Sequence, residues 1–144
     1  MNYLLDTNVV SEWVKPRPDT NVARWLAEAD EDRICLSVVT FAEMRQGIEQ
    51  MSAGRRRNAL ESWLQNELPA RFAGRILGVD LAVAQAWGTI MARSGKMGVN
   101  LSAMDAFFAA TAAVHGLILV TRNAKRFEKM SISLLDPWVE EESR

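Results

Sequence analysis

A chain of 144 residues, 49% hydrophobic and 24% charged, is long enough for one domain with its own core and needs neither disulfide nor structural metal. Its single cysteine, Cys35, excludes an intrachain disulfide scaffold. The formal net charge of −1 offers no global argument for a nucleic-acid partner, although a sum says nothing about placement.

Tyr3-Leu4-Leu5 is a short apolar run stopped at Asp6, with Thr7 and Asn8 behind it, and reads as a buried parallel strand. Pro16-Arg17-Pro18 marks a loop, and Asn21 to Ala29 sets Val22, Trp25, Leu26 and Ala29 on one helical face. Ile34-Cys35-Leu36 is a weaker strand. After it, Ser37 to Met51 repeats Val38, Phe41, Ala42, Ile48 and Met51 at helical intervals, with Glu43 in its early turns. Arg56 to Leu68 predicts one further helix, carrying Ala59, Leu60, Trp63, Leu64 and Leu68. Ile76-Leu77-Gly78-Val79 is a weak strand before Asp80, a candidate N-cap for a helix presenting Val83, Ala84, Trp87, Ile90 and Met91. Gly95 to Asn100 reads as a loop, and Ser102 caps a helix from Ala103 to His115 with Asp105 at its second or third residue. Leu117-Ile118-Leu119-Val120 is a clear strand running into Thr121-Arg122-Asn123, and Ser133-Leu134-Leu135 a weaker one. Strands alternating with helices imply right-handed crossovers and a parallel sheet covered on both faces.

No run approaches the ~18 apolar residues of a membrane span. The first six residues also lack the basic region and the roughly 7–15 apolar residues of a signal peptide. A single domain over residues 1–144, soluble and cytoplasmic, is therefore expected.

In an open parallel sheet, ligands bind beyond the carboxyl ends of the strands. Asp6 directly follows the first strand, while Glu43 and Asp105 lie early in helices, so all three are expected at one sheet edge. Two carboxylates within ~4 Å repel by about 4 kcal/mol at an effective dielectric near 20. A divalent ion with oxygen ligands relieves this, and Mg²⁺ or Mn²⁺ suits a chain rich in carboxylates with one histidine. Taken singly, Asp6 reads more readily as a helix cap than as a ligand, and Glu43 as an ordinary solvated or helix-dipole carboxylate. The apolar neighbours of Asp105 leave its two readings nearly even. His115, beside Gly116 at a helix end, reads as a dipole partner, and zinc is not expected without further His or Cys. Gly95-Lys96-Met97-Gly98 lacks P-loop spacing, and no G-x-S-x-G elbow occurs. The tryptophans read as core or interface anchors.

Four segments occur in a telling order: Leu4-Leu5-Asp6-Thr7-Asn8-Val9, Ser37-Val38-Val39-Thr40-Phe41-Ala42-Glu43, Met104 to Ala112, and Leu119-Val120-Thr121-Arg122-Asn123. Together with Leu134-Leu135-Asp136-Pro137-Trp138 they resemble PIN-domain proteins, specifically the VapC/FitB-like toxins of toxin–antitoxin modules, over nearly the whole chain. The resemblance implies a three-layer α/β/α sandwich with a mostly parallel central sheet and a Mg²⁺- or Mn²⁺-dependent endoribonuclease. It also implies a homodimer neutralised by a cognate antitoxin protein, with larger toxin–antitoxin assemblies as an extension. Carried onto this sequence, it makes Asp6, Glu43 and Asp105 the catalytic and metal-site acids, with Thr7, Asn8, Thr121 and Asn123 as polar support. One departure stands out: Arg126 occupies the place where the family commonly has a fourth acid, which argues for one metal rather than two.

Charge placement adds an expectation about RNA. From Ala84 to Phe127 the chain carries +4, with Arg93, Lys96, Arg122, Lys125 and Arg126 as candidate phosphate contacts. Residues 1–53 carry −4 and the tail from Asp136 carries −3. The alternative is a catalytically weak PIN-fold module that mainly engages its antitoxin. A phosphoryl-transfer reading with Asp6 as nucleophile is disfavoured, because Asn8 stands where a second Asp belongs.

Overall fold

The computed structural model describes residues 2–139 and shows five parallel strands between two helical layers. In chain order these are β1 (Tyr3–Leu5), α1 (Thr7–Glu12), α2 (Thr20–Glu28), β2 (Ile34–Ser37), α3 (Val38–Glu49), α4 (Arg55–Ser62) and α5 (Leu68–Arg71). Then come β3 (Ile76–Leu77), α6 (Leu81–Lys96), α7 (Ala103–His115), β4 (Ile118–Val120), α8 (Ala124–Phe127) and β5 (Leu134–Leu135). The sheet order is β3-β2-β1-β4-β5.

Alternate residues of the short apolar strands feed two different cores. Leu4 and Leu119 pack with Val83, Ile90, Phe108 and Phe127 on one face. Leu5 and Val120, one position on, pack with Val9, Val22, Ile48, Leu64 and Phe72 on the other. Register follows: Leu4 pairs with Leu119 and Leu5 with Val120. The chain moves from β1 to β2 to β3 on one side, then returns to place β4 on the other side of β1. The reversal opens a crevice at the carboxyl ends of β1 and β4, where ligands of such sheets bind.

Caps explain most helix starts. Asp19, Ser37, Asp80 and Ser102 each accept a backbone N–H in the first turn of the helix that follows. Gly116 ends α7 at φ 63°, a left-handed position that suits glycine. Several expectations need correction. The helix expected over Arg56–Leu68 runs from Arg55 to Arg71 and is broken by a π-helical turn at Trp63–Glu67. Pro69 lacks the N–H an unbroken α-helix needs there, and Leu68 N bonds back to Trp63 O through the widened turn. The loop expected from Gly95 starts after Lys96, because α6 keeps its bonding to that point. Helices α1 and α8 carry too few apolar repeats to register as periodic patterns.

The tryptophans serve as packing anchors: Trp25 meets Tyr3 edge-on at 5.2 Å, and Trp87 stacks on Phe107 at 5.2 Å. Glu12 is not the solvated acid a charge count suggests. It is buried, takes a hydrogen bond from Asp19 N at 2.9 Å and pairs with Lys15. Arg57 is tied to Glu49, Glu61 and Met51 O, while Arg55 and Arg56 remain exposed. No helix among the described residues is long and apolar enough to cross a membrane. The acids Glu140, Glu141 and Glu142 of the tail lie outside the described residues.

Candidate active site

Asp6 leaves β1 at the crevice and starts α1. Its backbone N–H continues the sheet to Val120 O at 3.0 Å, and its Oδ1 caps α1 by accepting Val9 N at 3.0 Å. The other oxygen, Oδ2, accepts the Thr121 hydroxyl at 2.5 Å from the end of the neighbouring strand β4. The cap and the site residue are thus the same carboxylate. Only 8% exposed, Asp6 has its carboxyl pushed up to about 6, chiefly by burial. The Thr121 and Val9 hydrogen bonds oppose this rise, and the charges of Asp105 and Glu43 add to it. Asp105 and Glu43 thus each lie within electrostatic reach of Asp6.

Glu43 projects from α3, where its Oε1 accepts the Thr7 hydroxyl at 2.6 Å. The same hydroxyl shares a 3.2 Å hydrogen bond with Thr40, one turn before Glu43 on α3. Thr7 therefore fastens the start of α1 to α3 and turns Glu43 toward the crevice side. Asp105 is the third residue of α7. The Ser102 hydroxyl accepts its backbone N–H at 3.1 Å, which fixes its position in the first turn. Its carboxylate is 23% exposed, and Arg126 Nη1 lies 3.3 Å from its Oδ2. Thr121, besides holding Asp6, accepts Asn123 N at 3.2 Å and shapes the turn into α8. Asn8 sits exposed on α1.

The basic residues divide. Arg126 touches the site, and Arg122 lies over the Trp138 ring at 5.3 Å. Lys125 is exposed on α8 beside Arg126. Arg93 and Lys96 stand in the last turn of α6, where they complement its dipole. No ion pair among the described residues joins those two to the three acids. Thr40 joins the contacts of Thr7 and Glu43 although no local motif singles it out. The signal available was a hydroxyl three residues before Glu43 on one helix.

The donor set is all oxygen, crowded with negative charge and partly withdrawn from water, which is the chemistry of a hard divalent cation's site. Among the described residues no three of the His, Cys, Asp and Glu side chains stand close enough to hold one ion together. The set therefore fits an ion such as Mg²⁺ that is met by one or two carboxylates and keeps its own waters. Thr7 occupies Glu43 and Arg126 occupies Asp105 in this arrangement.

Comparison with known proteins matches the PIN domain family over residues 3–132. The chain belongs to the PIN-domain family. This PIN domain is 36% identical over 135 residues to a VapC ribonuclease of Sinorhizobium fredii, covering 94% of this chain and 96% of that protein. It is also 36% identical over 135 residues to the toxin FitB of Neisseria gonorrhoeae, covering 94% and 97%. Among solved structures, the FitAcB complex from Neisseria gonorrhoeae superposes with a TM-score of 0.88 at 35% identity, over 94% of this chain and 98% of that one. The DNA-bound VapBC complex from Salmonella typhimurium matches at 0.76 and 27% identity, over 95% and 98%. The PIN domain thus groups with VapC/FitB-like toxins along nearly its whole length.

Proposed function

We propose that this PIN domain is the ribonuclease toxin of a toxin–antitoxin pair and hydrolyses RNA phosphodiesters with Mg²⁺ or Mn²⁺. The observation that carries the reading is Asp6: a buried carboxylate at the β1/β4 crevice, raised to about 6, with Asp105 and Glu43 in its field. Relatives named as ribonucleases support the activity.

Asp6 and Asp105 would hold the ion, with Glu43 holding it or orienting the attacking water. When bound, the ion supplies positive charge to the phosphate and acidifies water. The chain's own part is positional. Thr121 aims Asp6, Ser102 fixes Asp105 at the head of α7, and Thr7 with Thr40 sets Glu43. Asn123, at the start of α8, is a further polar contact for water or ion. Arg122, Lys125 and Arg126, with Arg93 and Lys96 as outlying contacts, would meet the RNA backbone without reading its sequence. Relatives solved as FitAB and VapBC complexes support a cognate antitoxin as partner. A homodimer belongs to the same reading, and light scattering of the isolated chain tests it.

The test is cleavage of RNA with Mg²⁺ or Mn²⁺ by wild type beside Asp6→Asn and Asp105→Asn. Each substitution is expected to lower the rate at least ~100-fold, about 2.7 kcal/mol of barrier. Equal residual cleavage by all three overturns the enzyme reading. One observation favours a second reading, a weakly catalytic module devoted to its antitoxin: the Arg126–Asp105 contact neutralises one of the three acids. Tight antitoxin binding without metal-dependent cleavage would establish it.

A further inference from the structure

Arg126 rides on the four-residue helix α8, which is fixed at both ends. Asn123 N donates to Thr121 Oγ1 at 3.2 Å, and Phe127 is buried in the core below. The same Thr121 hydroxyl donates to Asp6. One seven-residue segment, 121–127, therefore brings a hydroxyl to one acid of the site and a cation to another.

The ion pair with Asp105 is of a particular kind. Only Nη1 makes the contact, at 3.3 Å, so the planar fork is engaged at one corner. The Arg126 side chain is 55% exposed and that of Asp105 is 23% exposed. A pair this open adds little to fold stability and exchanges readily with other partners. Its carboxylate is one that a divalent ion needs. The donors of its planar guanidinium match two oxygens of a phosphate at once. Lys125, the preceding residue of α8, is exposed and adds a second positive charge to that helix.

We propose that Arg126 is a tethered cation of this site: it holds Asp105 while no ion is bound, and passes to an RNA phosphate when a divalent ion takes Asp105. The inference rests on the nuclease reading of the same site. Arg126 would then compete with the ion for Asp105 and assist RNA once the ion is in place.

Two binding constants separate these effects. The first is for Mn²⁺ alone, by calorimetric titration of the full chain. The second is for a single-stranded RNA with cleavage-resistant phosphorothioate linkages, by fluorescence polarisation at saturating Mn²⁺. Arg126→Gln is expected to bind Mn²⁺ about three- to tenfold tighter and the RNA about five- to tenfold more weakly. Arg126→Lys, which keeps the charge but loses the fork, is expected to fall between wild type and Arg126→Gln in RNA affinity. Because Arg126 is exposed, the melting temperature of Arg126→Gln should match wild type, which separates these changes from unfolding. If either constant is unchanged in Arg126→Gln, or Mn²⁺ binds it more weakly, the proposal is overturned. Both shifts without cleavage of ordinary RNA by wild type would uphold Arg126's role and overturn only the nuclease reading.

Discussion

Asp6 answers two demands that conflict at neutral pH. As cap and strand-end residue it must stay inside, and as an ionised acid it is penalised for being there. Its carboxyl stands at about 6 in the fold against an ordinary 3.8, so the folded chain binds the proton more tightly than the unfolded chain. Stability from this group is fully present below about pH 4 and is lost as pH rises through about 6, a cost near 3 kcal/mol. Asp6→Asn can keep both hydrogen bonds, its Oδ1 accepting Val9 N and its amide donating to the Thr121 hydroxyl. The variant should therefore melt several degrees higher than wild type at pH 7.5, with the gap closing near pH 4.5, as thermal scans at both values would show. Added Mn²⁺ should raise the wild-type midpoint and leave Asp6→Asn nearly unmoved.

The elements around Asp6 hold its partners by end effects. Ser102→Ala removes the cap of α7 and should cost about 1 kcal/mol in urea unfolding. It should also lower cleavage, because Asp105 sits in the turn that the cap fixes. Gly116→Ala acts at the far end of the same helix. Nothing stands within 4 Å of the added Cβ, so its cost of about 1 kcal/mol comes from the left-handed backbone alone. It should leave cleavage untouched, so comparing the two variants separates loss of stability from loss of site geometry. The caps Ser102 and Asp80 were legible in the sequence, since capping is a contact across three residues. The π-turn at Trp63–Glu67 was not, because Leu60, Leu64 and Leu68 recur at a spacing that an α-turn and a wider π-turn both accommodate. Helices α1 and α8 are too short for their periodicity to register.

Over the whole molecule, charge is separated by segment. Arg126, which contacts Asp105, and the exposed Lys125 share a single short helix, so electrostatic steering toward RNA should be local and sensitive to salt. Lys125→Ala should reduce the slope of log affinity against log salt by about 0.7, the single-strand value for one phosphate contact, in a titration with single-stranded RNA. The two cores explain why so short a sheet suffices: each central strand buries alternate residues on opposite faces and binds both helical layers together.

The sequence by itself determined the five strands, most helix starts, and the acids that follow or open those elements. Each of these depends on neighbours a few residues apart: a run of apolar residues, a capping side chain, a glycine past a helix end. Its local motifs also carried the family. What only the tertiary structure decided is the order β3-β2-β1-β4-β5, which sets Thr121 against Asp6 across 115 positions of chain. Packing on both faces of that sheet withdraws Asp6 from water and moves its proton affinity, and no local pattern encodes how much water remains. The reach of Arg126 to Asp105 was decided in the same way. An arginine in place of an acid is visible in sequence, but its partner is set by where α8 and α7 come to lie.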